Sequence, residues 1–308
     1  MATSLGHVTV APRGSIEPAT GSRGVHQRSF GVLRLVLRTR LAWFGLAALL
    51  VMFFMAATAD MLTPYDPDYQ DYTRILAPPS ADNPFGTDEI GRDVYSRLVY
   101  GTRVSLEVGV VAVAMGVVTG VLIGLLAGYH RGWLENVLMR TMDALRAFPA
   151  LVLALAITAV LGPGLINVML AVGVVSVPTF ARLTHAQTLS IREREYVLAA
   201  RVIGVGSWRI MLRHICPNAV GAIIVQASLA VAFAILAEAS LSFLGLGVRP
   251  PTASWGSMLH SGYQYLNRAP WLSLYPGGAI FIAVLGFNLL GDGLRQALDP
   301  RLRPSGYA

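Results

Sequence analysis

Three kinds of enzyme chemistry can be tested directly against the residue types in this chain. A phosphate-binding loop of the G-x-x-x-x-G-K-[ST] type needs a lysine, and all 24 basic residues are arginines. A multi-cysteine metal or redox site needs more than the single Cys216, the six histidines show no H-E-x-x-H spacing, and no G-x-S-x-G sequence is present. We therefore predict no catalytic residue, no metal site, no bound cofactor and no ATP hydrolysis by the chain itself.

Acidic residues inside apolar segments are a further source of chemistry, since ion-coupled carriers place ionisable groups within their membrane spans. Only Glu107 and Glu238 fall inside the apolar segments, and both lie near a segment end. The simpler interpretation gives each a local hydrogen-bonding role at the membrane interface. An ion-coupled secondary carrier is the alternative function, and the absence of visible internal repeats disfavours it.

The most informative polar stretch is residues 184–218, which separates two apolar segments. Its apolar residues recur too regularly for a loop without secondary structure. Its first half predicts a short helix with one apolar face, formed by Tyr196, Ala199, Ala200 and Ile203. Gly204-Val205-Gly206 predicts the end of that helix, Ser207 the N-cap of a second one, and Pro217 the start of the next span. The apolar face of the second helix comprises Trp208, Met211, Leu212 and Ile215. An amphipathic hairpin lying on the inner leaflet is the alternative interpretation.

Composition places these segments in a membrane, since 54% of the residues are hydrophobic, 13% are charged and the mean hydropathy is +0.57. Six membrane-spanning helices are predicted, at Leu41–Ala59, Val104–Tyr129, Phe148–Leu161, Leu165–Arg182, Ala219–Leu241 and Tyr275–Leu290. The third reaches spanning length only when it is extended back through Met142. Ala57-Thr58-Ala59 resembles a signal-peptide cleavage site, but the long apolar segment and its lead-in favour a retained first span.

Arginine placement predicts how the spans are oriented. With the N-terminus inside, the inside segments hold 18 arginines and the outside segments hold six. The inside segments are residues 1–40, 129–146, 182–218 and 291–308, and the outside segments are 60–103 and 242–274. Both termini are therefore predicted to be cytoplasmic. Since the basic residues behind the net charge of +7 lie between apolar segments, we predict no nucleic-acid partner.

Two further patterns predict how the spans pack and where they meet the membrane surface. Small residues recur on one face of the second span, at Gly116, Gly120, Gly124 and Gly128. Close helix packing is the usual interpretation of this pattern, and flexibility of a pore-lining helix is the alternative. The second outside segment carries four aromatic residues predicted to form an interfacial belt, Trp255, Tyr263, Tyr265 and Trp271.

Residues 184–218 resemble the EAA loop of importer-type ABC permeases, whose signature is E-A-A, three residues and then glycine. The matching positions are Leu198-Ala199-Ala200 and Gly204, followed by Arg213-His214-Ile215-Cys216-Pro217-Asn218. Leu198 stands where the general signature has glutamate, and Cys216 stands where leucine is usual. Arg192-Glu193-Arg194-Glu195-Tyr196-Val197 looks like the peptide-permease version of the motif.

Other segments, spread over roughly residues 30–303, resemble C-type subunits of the dipeptide and oligopeptide (nickel) importer family. Before the second span these are Phe85-Gly86-Thr87-Asp88, Gly91-Arg92-Asp93-Val94, Ser96-Arg97 and Gly101-Thr102-Arg103-Val104-Ser105-Leu106. Later in the chain they are Leu241-Ser242-Phe243-Leu244-Gly245-Leu246-Gly247, Pro250-Pro251, Trp255-Gly256, Gly291-Asp292-Gly293-Leu294-Arg295 and Leu298-Asp299-Pro300-Arg301.

The resemblance implies an all-α integral membrane protein with the type I ABC importer permease fold. It implies a permease subunit in the bacterial cytoplasmic membrane that moves di- or oligopeptides, with ATP and Mg bound by partner subunits. The implied partners are a second, B-type permease, two cytoplasmic ATPase subunits, membrane lipid and an extracytoplasmic substrate-binding protein. Contact with that binding protein is a secondary interpretation of the outside aromatic segment. The cargo stays open among dipeptides, longer peptides, nickel chelates, haem and glutathione.

In that family, the short helix of the EAA loop docks in a cleft of the ATPase. The implied docking residues are Glu195, Tyr196, Ala199, Ala200, Arg201, Gly204 and Gly206. Substrate-binding residues stay unknown. We expect Gly204→Asp to leave membrane insertion intact but to uncouple transport from ATP hydrolysis.

The predicted organisation has four parts. These are a disordered cytoplasmic tail (1–29), a first membrane helix with its extracytoplasmic loop (30–103), a core of five membrane helices (104–290) that contains the coupling loop (184–218), and a cytoplasmic C-terminal tail (291–308).

Overall fold

The structure, a computed structural model, describes residues 40–298. The predicted disordered tail at residues 1–29 lies outside the described residues, as do residues 299–308 of the predicted C-terminal tail. The helices are α1 (Arg40–Ala57), α2 (Ala59–Leu62), α3 (Val94–His130), α4 (Gly132–Ala147), α5 (Ala150–Leu161), α6 (Leu165–Arg192), α7 (Glu195–Val202), α8 (Ser207–Ile210), α9 (Cys216–Phe243), α10 (Trp255–Gln264) and α11 (Trp271–Leu298). A 3₁₀ turn lies at Tyr72–Arg74, and a π-helical segment, Met211–Ile215, joins α8 to α9.

Four helical stretches in the described part are long and apolar enough to cross a bilayer: α3, α6, the continuous stretch Ser207–Phe243, and α11. The pair α4 and α5 passes the same test as one bent span. Helix α1 has 18 residues and rises about 27 Å, close to the hydrocarbon thickness of a bilayer. The described part therefore has four spans, or five when the bent pair counts as one, and α1 stays the predicted sixth.

The third predicted span is not one straight helix when it is extended back through Met142. Proline disfavours the helical conformation in the residue before it, and Phe148 before Pro149 accordingly has φ −83° and ψ 137°. Helix α4 therefore ends at Ala147, and α5 leaves it at an angle of 90°.

The glycine pattern of the second span packs as predicted. A Cβ at Gly120 would lie 2.6 Å from Phe180 Cβ, and one at Gly124 would lie 2.5 Å from Ala181 O. Real Cβ atoms do not approach other atoms so closely, so the absence of a side chain allows α3 and α6 to touch backbone to backbone. The two helices therefore form one tightly packed unit.

The helix bundle has two ends, which we name by their loops. The proximal end carries residues 184–218, together with the C-terminal ends of α3 and α6. The distal end carries the loop before α3, helix α10 and its flanking loops. Asp93 caps α3 at the distal end by accepting a hydrogen bond from Ser96 N at 2.7 Å, which starts this helix ten residues before the predicted Val104.

Candidate functional site

The proximal loop is built around α7 and its tightly turned end. Gly204 adopts φ +80°, a conformation that glycine reaches without steric cost. Its N–H donates to Arg201 O at 3.1 Å, and Val205 N–H donates to Ala200 O at 3.0 Å. These two bonds form a Schellman motif, which confirms the predicted helix stop.

The second half of the loop differs from the prediction in two respects. Helix α8 starts at Ser207, but Gly206 occupies the N-cap position and no side chain caps the helix. Pro217 does not open a separate span, because α8, the π segment and α9 form one continuous helix. The π segment Met211–Ile215 ends two residues before Pro217, whose missing N–H removes one regular hydrogen bond and allows a wider turn to form.

Apolar side chains of the loop divide into a buried set and an exposed set. The buried set anchors the loop on the bundle and comprises Val197, Ala200, Ile210, Met211 and Ile215. The exposed set, which we name the proximal apolar surface, comprises Tyr196, Leu198, Val202, Ile203, Trp208 and Leu212. Val202 is 87% exposed, whereas Val197 on the same helix is fully buried. Several large apolar side chains left exposed on one short loop are typical of an interaction site.

The predicted docking residues lie together, and six of them are exposed: Glu195, Tyr196, Ala199, Arg201, Gly204 and Gly206. Ala200 is buried, so its side chain is not open to a partner in the way the other six are, and the docking role of the set stays a prediction. A Cβ at Gly204 or Gly206 would meet nothing within 4 Å. The chain therefore leaves the space beside both glycines open.

Arg192, at the C-terminal end of α6, joins the proximal loop to α3. Its Nη1 donates to Gly128 O and to Tyr129 O, each at 3.0 Å, at the C-terminal end of α3. The Arg201 guanidinium lies 5.4 Å from the Tyr129 ring centroid, a cation–π contact. Sequence reasoning assigned Arg192 to a motif but did not predict this bond, because carbonyl acceptors leave no trace in the sequence.

Comparison with known protein families identifies most of the chain. Residues 120–304 match the family "binding-protein-dependent transport system inner membrane component". The chain belongs to this family. Residues 31–79 also match the N-terminal transmembrane domain of oligopeptide transport permease C.

Several curated permeases are similar to the chain over most of their length. The glutathione transport system permease GsiD of Pectobacterium atrosepticum is 44% identical over 88% of this chain and 90% of its own. The dipeptide permease DppC of Alkalihalophilus pseudofirmus is 43% identical, with 86% and 88% covered. The di/tripeptide permease DppC of Pseudomonas aeruginosa is 46% identical, with 84% and 88% covered.

A solved structure shows the same fold. The inward-facing methionine ABC transporter MetNI matches with a TM-score of 0.54 at 20% identity, covering 66% of this chain and 97% of the matched chain. The permease is therefore a multi-pass inner membrane protein with the type I importer fold, and it is a transport subunit. The family match supports the importer function and leaves the ion-coupled carrier without support.

The distal end of the permease carries a buried charge network that sequence reasoning missed. Arg92 Nε lies 2.6 Å from Asp88 Oδ2, and Arg97 Nη1 lies 3.2 Å from Asp68 Oδ1. Arg97 also donates to Pro67 O at 3.0 Å and approaches Asp88 at 3.7 Å. The signal in the sequence was the resemblance motif that contains Asp88, Arg92 and Arg97, but its spacing does not reveal which charges pair.

The predicted aromatic belt is wrong for one of its four members. Trp255 is fully buried, and its Nε1 donates to Leu98 O at 3.1 Å. Trp271 is partly buried, with its Nε1 3.4 Å from Thr87 O. Tyr263 remains exposed. Trp255 therefore ties α10 to the start of α3, and Trp271 ties α11 to the loop before α3.

The two acidic residues within spans have different surroundings. Glu107 is exposed, whereas Glu238 is fully buried and accepts hydrogen bonds from Ser242 at 2.7 Å and Ser105 at 3.3 Å. The local hydrogen-bonding role predicted for Glu238 is confirmed. At the same end, Asp60 lies outside the spans in α2, and the Arg103 guanidinium 2.9 Å away holds the pKa of its carboxyl below the usual value.

Proposed function

We propose that this chain is the C-type permease subunit of an ABC importer for di- or oligopeptides. The observation that carries the proposal is the proximal apolar surface, which lies on the EAA-like segment and is left uncovered by the rest of the described chain. The relatives are permeases for dipeptides, di/tripeptides and glutathione, which are all peptides.

The proposed orientation places the proximal end in the cytoplasm. Arginine placement supports it, because residues 182–218 alone hold six arginines, and positive residues concentrate on the cytoplasmic side of membrane proteins. With six spans, both termini are then cytoplasmic, and the distal charge network faces the extracytoplasmic side.

The proposed partners are a second, B-type permease, two cytoplasmic ATPase subunits and an extracytoplasmic substrate-binding protein. Membership of the binding-protein-dependent transport family supports partners of these three kinds. ATP and Mg would be held by the ATPase subunits, since a chain without lysine lacks the Walker A side chain that contacts the β- and γ-phosphates.

Helix α7 is the proposed docking element for one ATPase. Tyr196, Val202 and Ile203 present apolar area, while Glu195 and Arg201 supply charge at its edge. An amphipathic helix laid in a partner's groove is a common recognition mode. Movement of the ATPase would pass from α7 to α3 and α6 through the Arg192 hydrogen bonds.

The test is purification of the tagged chain in mild detergent, followed by mass spectrometry and reconstitution into liposomes. The proposal predicts co-purification of ATPase chains and a second permease. It also predicts uptake of labelled dipeptide that requires both ATP and the binding protein. Purification of the chain alone, with uptake driven by an ion gradient, would overturn it.

A further inference from the structure

A cleft at mid-depth of the bundle is lined by polar side chains that the described chain leaves without partners. The cleft has a volume of about 440 Å³ and lies between the α4–α5 bend, α6 and α9. Its polar lining includes Arg146, Thr179 and Gln226. Within the described residues, none of these three side chains takes part in a hydrogen bond or ion pair, whereas nearby Ser176 donates to Val172 O at 2.8 Å.

The depth of the cleft follows from the helix positions. Thr179 lies about 20 Å from either end of α6, and Gln226 is near the middle of the continuous helix Ser207–Phe243. Arg146 reaches this level because α4 runs beside α6, where Asp143 pairs with Arg182 and Glu135 contacts His185 at 2.7 Å. Arg146 and Thr179 are exposed and Gln226 is half-buried, so all three polar side chains are open to the cleft.

The backbone is also interrupted at the cleft. Pro149 ends the regular ladder of the α4–α5 pair where it bends by 90°, and Pro149 itself lines the cavity. Pro178, beside Thr179, removes one hydrogen bond from α6. Irregular backbone at membrane depth is tolerated where it lines a water-filled cavity or is buried in protein.

We propose that this cleft is a cargo-binding site in which Arg146 binds the free carboxylate of a peptide. Thr179 and Gln226 offer one hydroxyl and one amide to the peptide backbone. An arginine guanidinium matches a carboxylate with two parallel hydrogen bonds. The volume lies within the usual range for small-ligand sites. The inference rests on the proposed function and adds to it the residues that contact cargo.

The experiment compares ATP-driven uptake of a dipeptide with uptake of the same dipeptide carrying a C-terminal amide. Both are measured at saturation in the reconstituted complex, for the natural chain and for Arg146→Gln. The same binding protein serves both chains. Its own preference for the acid or the amide therefore cancels when the acid-to-amide uptake ratio of the variant is divided by that of the natural chain. We expect Arg146→Gln to lower the acid-to-amide rate ratio by about tenfold, the usual value of one charged hydrogen bond.

Arg140→Gln is the matched control, because Arg140 is an exposed arginine on the same helix that does not line the cleft. It should leave the ratio unchanged. Gln226→Leu should slow uptake of both peptides equally, since an amide that contacts the peptide backbone does not distinguish the two ends.

Two results would overturn the inference. An equal loss of acid and amide uptake in Arg146→Gln would assign Arg146 to an ion pair with the second permease, and an unchanged ratio at unchanged rates would place the cargo elsewhere. In both cases the natural complex still transports peptide, so the proposed function survives. If the natural complex moves no peptide, the proposed function and the proposed cargo site are both overturned.

Discussion

The distal and proximal ends of the permease differ in how far their side chains are buried and paired within the chain. At the distal end, Asp88, Arg92 and Arg97 are buried and pair with one another, and Trp255 is fully enclosed. At the proximal end, Val202 and Trp208 are exposed, and the loop is joined to the end of α3 by the Arg192 hydrogen bonds and by an exposed ion pair between Arg131 and Glu193.

This difference indicates that the contacts of the distal end are complete within the chain, whereas the proximal end needs a partner to cover its exposed apolar side chains. Buried paired charges hold a fixed geometry but lose much stability when one member is removed. Exposed apolar side chains contribute little to the isolated chain and gain stability when a partner covers them. Substitutions at the distal end should therefore act on folding, and those at the proximal end should act on coupling.

The largest expected effect is at the distal charge network. Asp88→Ala would leave Arg92 and Arg97 buried with reduced pairing, at a cost of about 3–5 kcal/mol. The melting temperature and yield of the detergent-solubilised complex should fall sharply. Asp82→Ala is the matched control, because Asp82 is an exposed aspartate of the same loop whose ion pair with Arg74 is worth about 0–1 kcal/mol. Equal losses for both variants would contradict the contrast between the two ends.

The next effect tests the junction between the proximal loop and α3. Arg192→Gln removes charged hydrogen bonds to Gly128 O and Tyr129 O, worth about 1.5–3 kcal/mol each. We expect the complex to assemble and hydrolyse ATP, with peptide uptake per ATP reduced about tenfold or more. Arg192→Lys, which can still donate to one carbonyl, should restore part of the coupling. A variant with normal uptake per ATP would show that Arg192 has no part in transmission.

A smaller effect separates backbone strain from partner contact at the two loop glycines. Gly204→Ala places a side chain at φ +80°, which costs about 1–2 kcal/mol, whereas Gly206 has an ordinary φ of −60°. Gly204→Ala should lower both the melting temperature of the complex and the rate of peptide uptake. Gly206→Ala should leave the melting temperature unchanged, so any loss of uptake there reports on the partner. Gly204→Asp is expected to be inserted normally and to be uncoupled, which immunoblotting of membranes and uptake assays would check.

The smallest effect is a single hydrogen bond at the distal end. Trp255→Phe keeps an aromatic ring but removes the N–H that donates to Leu98 O, at a cost of about 1 kcal/mol. Leu98 O still accepts from the Thr102 hydroxyl at 3.1 Å, which limits the loss. A fall of a few degrees in melting temperature, with uptake per ATP unchanged, is the expected result. A change in coupling would show that the distal end takes part in transmission.

Much of this architecture was predictable because membranes impose simple patterns. Apolar length located the spans, and the spacing of Gly120 and Gly124 predicted the close packing of α3 and α6. Gly204 predicted the end of α7, since a Schellman turn requires a left-handed residue. These features depend on local sequence alone.

The features that escaped prediction depend on contacts between distant residues. The partner atoms of Arg192 are carbonyl oxygens more than sixty positions away, and the burial of Trp255 requires Leu98 from another helix. Ala200 and Ala199 are neighbours of identical type, yet only Ala200 is buried. Helical periodicity located an apolar face but not the side on which the bundle lies.

The most direct test of the account is the amount of ATPase that co-purifies with Val202→Asp. Val202 is 87% exposed and belongs to the proximal apolar surface, so a charge there should leave the chain folded and inserted. The account predicts that Val202→Asp loses most of its ATPase while Val202→Leu retains it, at equal permease yield and melting temperature. Full retention of ATPase and normal peptide uptake by Val202→Asp would contradict the claim that this surface is the docking site.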